Sequence, residues 1–209
     1  MSKANRAKRK KNNAGAGQKA ADERDTAPMS PYKAAFYAVL LSGVIFGGWS
    51  IWQAQSTEAA FLNIANAHKS DLGRVQHMKN LGRGHLTPGQ GFTYPDRFPT
   101  SGPHAPVWTT PGMYTNFQPD VMLVHALEHG NIVIYYDRIA DDDFKVLEEW
   151  AGLYSNQWSG IVVMKRPGLG DEVVLTAWTK MLRLKTFDAG PAAAFVDAYR
   201  GRGPEHPVR

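Results

Sequence analysis

Two histidines and a glutamate lie close together in the segment 124–130, which reads Val-His-Ala-Leu-Glu-His-Gly. They are His125, Glu128 and His129, and His104 lies upstream of them in a Gly-Pro-His sequence. Imidazole and carboxylate groups transfer protons near neutral pH and bind metal ions. Any chemistry that this chain performs is therefore expected at this segment.

The spacing His125-x-x-Glu128-His129 matches the pattern of inverted zinc peptidases. That chemistry needs a helix, on which residues four apart lie about 5–6 Å from each other and can share an ion. It also needs a third ligand from elsewhere and a glutamate that acts as general base. Gly130 and a β-branched run follow at once and leave little room for a helix. A peptidase is therefore not the favoured interpretation.

The conformation of residues 121–129 decides whether the two histidines can share an ion, and the apolar pattern there fits both helix and strand. On a strand, residues four apart are separated by about 13 Å. Two imidazoles that far apart cannot bind one ion through bonds of about 2.0–2.1 Å. A helical turn or a bulge would bring them together. A hairpin turning at Gly130-Asn131 would place both histidines on one face and Glu128 on the other.

The chain contains no cysteine, which excludes thiolate ligands, disulfides and cysteine nucleophiles. Several imidazoles without a thiolate suit zinc or copper(II). The candidate metal ligands are His85, His104, His125, Glu128 and His129. The alternative is that these histidines are structural and hydrogen-bond to loop carbonyl groups.

Nucleophilic catalysis is a weaker alternative. Ser101 lies three residues before His104, and Asp96 is nearby in the sequence. There is no G-x-S-x-G motif, and proximity in sequence does not give the geometry of a triad. No residue is assigned a catalytic role.

The elements that must position these residues form one domain at 82–201, followed by a loose tail at 202–209. Ten glycines and prolines between residues 82 and 106, interleaved with aromatic residues, predict an ordered, irregular loop packed over a core. Apolar patterns predict strands at Ile132–Tyr136, Ile161–Met164 and Val173–Trp178, the last extending to Leu184, and helices at Asp141–Tyr154 and Pro191–Tyr199. This is an α+β fold, a mainly antiparallel sheet with helices on one side.

The N-terminal part predicts a membrane anchor. Residues 1–32 form a disordered basic tail, and an apolar stretch at 33–53, uncharged from Ala34 onward, is long enough for one transmembrane helix. A stalk helix at 54–81 follows. Nine Lys/Arg lie in residues 1–33, which places the N-terminus in the cytoplasm and the domain in the periplasm or outside the cell. Because the excess of basic residues is confined to the tail, nucleic-acid binding is not expected.

The segment Tyr94-Pro95-x-x-x-Pro99-Thr100-Ser101-Gly102-Pro103-His104, together with segment 124–130, resembles a bacterial membrane-anchored family called domain of unknown function 3105. The resemblance covers roughly residues 82–200. It implies no activity, but it implies that His104, His125, Glu128 and His129 belong together, and His85 with them. Arg97-Phe98 stands where a Pro-Pro pair is commoner.

We therefore expect a single-pass protein of the plasma (inner) membrane, in contact with the bilayer through residues 33–53. Its extracytoplasmic domain would carry a histidine-based copper or zinc site that binds or delivers the metal. The alternative is a non-catalytic interaction module of an envelope or membrane assembly, with a protein partner and structural histidines. Enzymatic activity ranks third.

Overall fold

A computed structural model of the chain describes residues 29–209. The basic tail predicted at 1–32 lies almost wholly outside the described residues. The chain divides into two compact units, with the boundary between Ile51 and Trp52. The candidate site lies entirely in the second unit, Trp52–Arg209.

Helix α1 spans Pro31–Ala67 and is long and apolar enough to cross a membrane, and its apolar stretch is not buried. At a rise of about 1.5 Å per residue, a helix of 37 residues is longer than the roughly 30 Å thickness of the hydrocarbon core of a bilayer. The last turns of α1 belong to the second unit and bury Phe61 and Ala65 in its core. The segment 54–81 therefore differs from the expected stalk, since the helix ends at Ala67 and a short 3-10 helix, Lys69–Arg74, follows.

Six strands form one sheet in the second unit. They are β1 Gln76–His77, β2 Gly112–Tyr114, β3 Ile132–Tyr136, β4 Ile161–Lys165, β5 Val173–Ala177 and β6 Lys180–Leu184. The strand order is β1-β6-β5-β3-β4-β2. The pairs β1–β6, β6–β5 and β5–β3 are antiparallel, whereas β4 runs parallel to both β3 and β2. The prediction of an α+β fold with a mainly antiparallel sheet is confirmed.

Three further helices cover the sheet: α2 Asp120–Glu128, α3 Asp141–Leu153 and α4 Ala189–Tyr199. Alternate residues of β3 point to opposite faces, as on any strand. Ile132 and Ile134 pack in the core with α3, α4 and the end of α1, while Val133 and Tyr135 pack with α2 and Phe98. Most helices thus lie on one side, and α2 lies on the other beneath the glycine- and proline-rich loop.

The strand predicted to run from Val173 to Leu184 is two strands. A tight turn at Trp178-Thr179 folds β5 and β6 into a hairpin in which Ala177 pairs with Lys180. Thr179 adopts φ +59°, which is rare for a β-branched residue. Because neither residue of this turn is a glycine, proline or asparagine, the usual sequence signal for a hairpin is missing.

Candidate metal centre

Residues 120–128 form a helix, so the hairpin considered for this segment is wrong. Gly130 terminates the helix: it has φ +98°, its N–H donates to the carbonyl of Leu127, and the N–H of Asn131 donates to the carbonyl of Ala126. These two bonds are the Schellman arrangement, in which glycine follows the last helical residue in a left-handed conformation. In the sequence, Gly130 suggested too little room for a helix, whereas in the structure it is the residue at which the helix ends.

The helical conformation places the three polar residues of the motif on one face. Leu123 and Leu127 pack into the sheet, and all three polar side chains are buried on the side of the loop. His125 lies three residues before Glu128 and four before His129, so the three side chains are neighbours. The requirement of the zinc peptidase pattern for a helix is met.

The loop holds His104 through backbone hydrogen bonds with residues 82–86. The N–H of Gly102 donates to the carbonyl of Gly82 at 2.9 Å, and the N–H of His104 donates to that of Gly84 at 3.0 Å. This pairing sets His85 beside His104, with ring centroids 5.0 Å apart. Two loop segments and α2 therefore converge on one point.

Two imidazoles have their tautomers fixed by backbone carbonyl groups. The Nδ1 atom of His104 lies 2.8 Å from the carbonyl oxygen of Gly102, and that of His125 lies 2.7 Å from the carbonyl oxygen of Ala105. A carbonyl oxygen only accepts hydrogen bonds, so each Nδ1 must donate. In the neutral rings, both Nε2 atoms then carry a lone pair. Metal-binding histidines typically have this arrangement.

The Nε2 atom of His104 faces the carboxylate of Glu128, with its Oε2 atom 3.0 Å away. Among the residues that the structure describes, this Nε2 atom has no hydrogen-bond partner, although His104 is fully buried. Two acceptors held this close in a buried site repel each other unless a cation lies between them. The cation can be a proton or a metal ion.

Four potential metal ligands surround this point. His85, His104, His125 and Glu128, which we call the inner group, each offer one ligand atom, and these atoms lie within 4.8 Å of one another. The ring centroid of His125 lies 4.9 Å from that of His104 and 5.0 Å from that of His85. His85 is exposed, whereas the other three residues are buried.

A second group shares one of these residues. His125, His129 and Glu205, which we call the outer group, also offer ligand atoms within 4.8 Å of one another. Oε2 of Glu205 lies 3.0 Å from Nε2 of His129 and 3.8 Å from Nε2 of His125. The Glu205 side chain is 39% exposed, so this group reaches the surface.

The tail predicted to be loose packs against the end of α2 and positions Glu205. The N–H of Gly201 donates to the carbonyl of Gly130, and the N–H of Glu205 donates to the carbonyl of Glu128. A Cβ on Gly203 would meet the backbone of Glu128 and Gly130, so only glycine allows this close approach. Glu205 could not be identified from the sequence, because nothing in the local pattern sets it apart from other surface glutamates.

Burial shifts the proton equilibria of both groups. It lowers the pKa of His104, His125 and His129 below their ordinary value, and it raises the pKa of Glu128. Lowered pKa values keep the imidazoles neutral at neutral pH, which is the state that binds metal. The raised pKa of Glu128 means that a proton competes with a metal ion for this carboxyl group more strongly than at an exposed glutamate.

Two tryptophans that the sequence did not single out enclose His129. Its ring centroid lies 4.2 Å from that of Trp158 and 4.6 Å from that of Trp108. These rings exclude water from one side of the outer group and contribute to the burial that keeps His129 neutral. Large apolar surfaces around a metal site control solvent access.

The structure gives less support to nucleophilic catalysis by Ser101 and to zinc hydrolysis with Glu128 as general base. The Ser101 hydroxyl is fully buried and accepts from the N–H of Leu81 while donating to the carbonyl of Lys79, which gives it a structural role. The outer group has the two histidines and one glutamate of many zinc hydrolases. However, Glu128, the general base in that pattern, is buried, with its Oε2 atom 3.0 Å from Nε2 of His104.

The family assignment rests on residues 85–209, which match the model of a family described as "Protein of unknown function (DUF3105)". No curated protein and no solved structure matches the chain. The match covers more than half of the 209 residues and includes both histidine motifs, all members of the inner group and Glu205. The resemblance seen in the two motifs is therefore confirmed, and the chain belongs to this family of unknown function.

Proposed function

We propose that this protein binds one zinc or copper(II) ion through His85, His104, His125 and Glu128, and that it stores or delivers that ion at a membrane. One observation carries the proposal. The Nδ1 atoms of His104 and His125 both donate to backbone carbonyls, so both Nε2 lone pairs are available to the same ion. Structural histidines need only one satisfied nitrogen, whereas here the second nitrogens converge.

The spacing of the ligand atoms suits such an ion. Two ligands on a tetrahedral ion, each bound at about 2.0–2.1 Å, lie roughly 3.3 Å apart. The 3.0 Å separation between Nε2 of His104 and Oε2 of Glu128 is close to this value. The exposed His85 has room to move toward the ion. Three imidazoles, one carboxylate and no thiolate favour zinc or copper(II) over copper(I).

The burial of the ligands supports a tightly held ion. His104 and Glu128 are 0% and 4% exposed, and an ionised carboxylate without a partner is costly at that depth. A divalent cation would offset this cost and would replace the repulsion between the carboxylate and the Nε2 lone pair of His104 by attraction.

The N-terminal helix supports a membrane location. A lipid-spanning helix within 33–53, preceded by nine Lys/Arg in residues 1–33, favours a cytoplasmic N-terminus and an extracytoplasmic domain. A metal site there would take up or release ions outside the cytoplasm, in the periplasm or at the cell surface.

The test is elemental analysis of the full chain in detergent after loading with zinc or copper(II) and gel filtration. We expect about one equivalent of metal in the parent, and less than a tenth of that in the His104→Ala and His125→Ala variants, since each removes an inner ligand. The matched control is His77→Ala, because His77 is an exposed histidine of β1 outside both groups.

Parent protein that retains neither metal would contradict the proposal. If the two variants were then merely less stable than the parent, the histidines would be structural, and an interaction module would become the better interpretation. Metal that survives both substitutions would place the binding elsewhere and would equally contradict the proposal.

A further inference from the structure

We propose that His125, His129 and Glu205 form a second, outer metal position that exchanges a single ion with the inner group through the shared His125. This inference rests on the proposed function and adds a route for the metal. Three features of the two groups support it: the shared nitrogen, the exposure of Glu205 and the backbone contacts that place Glu205.

The shared nitrogen makes the two positions mutually exclusive. The Nδ1 atom of His125 is engaged by the carbonyl of Ala105, so Nε2 is the atom that this residue offers to either group. One imidazole nitrogen has one lone pair and binds one ion at a time. The two groups therefore cannot both be filled with their complete ligand sets, and the protein holds one ion rather than two.

Each group contains one exposed residue, His85 in the inner group and Glu205 in the outer group, and the Glu205 side chain is 39% exposed. On the outer side, exposure falls from Glu205 to His129, at 3% side-chain exposure, and to His104, which is fully buried. A metal ion captured by the exposed carboxylate of Glu205 would exchange its bound water molecules for imidazole ligands one at a time. It would reach the inner group without losing all of its ligands at once, because His125 stays bound.

The placement of Glu205 is fixed by the backbone, as expected for a ligand rather than for a mobile surface residue. Its N–H donates to the carbonyl of Glu128, the helical residue whose side chain belongs to the inner group. Arg83 reaches across and donates to the carbonyl of Pro204. Residues of the outer and inner groups are thus held by one hydrogen-bonded frame, within which a small shift of the ion changes its ligand set.

The first experiment tests whether the outer position exists. Zinc is titrated calorimetrically into the full-length His104→Ala/Glu128→Gln variant in detergent, which keeps the whole outer group. We expect one weak equivalent that gel filtration removes, and its loss on adding Glu205→Gln. The parent should bind one equivalent in the same titration.

The second experiment tests the route. Zinc release from otherwise unaltered protein to a chromogenic chelator is followed by stopped flow. Glu205→Gln and His129→Ala should each slow release and uptake about tenfold, and the double variant should be little slower than either, since both act on one step. His206→Ala is the control, because His206 lies on the same tail against Trp158 but belongs to neither group.

The outcomes separate this inference from the proposed function. A parent that binds no zinc would overturn both. Two results would overturn the outer position alone, provided that the parent binds one equivalent of zinc. The first is a His104→Ala/Glu128→Gln variant that binds no zinc, and the second is a set of exchange rates that Glu205→Gln leaves unchanged. Two equivalents in the parent would contradict the sharing of His125.

Discussion

Nε2 of His104 and Oε2 of Glu128 lie 3.0 Å apart with no hydrogen bond between them in the described chain, because the proton of the His104 ring is on the other nitrogen. With Glu128 ionised and no cation between the two atoms, the contact is unfavourable, and it becomes favourable once a cation is bound. Replacing the Glu128 carboxylate should therefore have opposite effects on the stability of the metal-free protein and on its affinity for metal.

The first prediction concerns Glu128→Gln. The side-chain NH₂ of glutamine can donate to Nε2 of His104, so we expect the free energy of unfolding of the metal-free protein to rise by about 1 kcal/mol. Metal affinity should fall at least about tenfold, since a neutral amide replaces an anionic ligand. Urea unfolding of metal-free protein and zinc competition measure the two effects.

The control for this substitution is Glu172→Gln, which breaks an exposed pair with Arg183. It should change the free energy of unfolding by no more than about 1 kcal/mol and leave the metal affinity unchanged. A metal-free Glu128→Gln protein that is markedly less stable than the parent would show that the carboxylate has a favourable partner, contrary to the structure.

The second prediction concerns Gly203→Ala. The added methyl group would meet the backbone of Glu128 and Gly130, which cannot move without disturbing the end of α2. We expect the tail to be displaced and the free energy of unfolding to fall by about 1–3 kcal/mol. Gly152→Ala is the matched control: Gly152 lies in α3 with open space around it, and its substitution should be neutral or stabilising by up to about 1 kcal/mol. Equal effects of the two substitutions would argue against the packed tail.

The third prediction concerns pH. Burial lowers the pKa of His104, His125 and His129, whereas in the unfolded chain they titrate near 6.5. As the pH falls below about 6.5, the unfolded state takes up more protons than the folded state, so the free energy of unfolding of the metal-free protein falls.

Glu128 opposes this trend. Burial raises its pKa above 4.5, so its contribution to stability is present below about 4.5 and is lost as the pH rises through its folded value. Glu128→Gln removes that opposing contribution, and the loss of stability on acidification should become steeper. Urea unfolding of both metal-free proteins at about pH 7.5 and about pH 5.5 tests this. A Glu128→Gln variant that is equally stable or more stable at the lower pH would contradict the burial of neutral histidines.

The fourth prediction concerns topology. Because the chain has no cysteine, single-cysteine variants can be labelled without background. Ser155→Cys, at an exposed position after α3, should react with a membrane-impermeant maleimide in intact cells or spheroplasts. Ser2→Cys, in the basic N-terminal segment, should react only after lysis. The reverse pattern would place the domain in the cytoplasm.

Strands β3, β4 and β5 were predictable because they are short apolar runs bounded by polar and glycine-rich turns. Helix α2 was not, because its residues are apolar on nearly every side and the glycine after it also fits a hairpin. The packing of α2 between loop and sheet decides between the two conformations, and that is a tertiary effect.

The candidate ligands could be chosen by residue type alone, and His85, His104, His125, Glu128 and His129 all fall within the two groups of ligands. Their division into two groups could not, because it depends on which ring nitrogen faces which carbonyl. Glu205 was missed for a related reason. It reaches the site through the backbone contact between Gly203 and Gly130, which lie far apart in the sequence.

The candidate ligands come from separate parts of the chain, two loop segments, one helix and the tail, from residue 85 to residue 205. Contacts between residues so distant in sequence form late in folding, because the loops between them must close first. A bound ion should therefore slow unfolding strongly while leaving the rate of folding almost unchanged, as expected for interactions absent from the transition state. The metal would then increase the kinetic stability of a domain that has already folded.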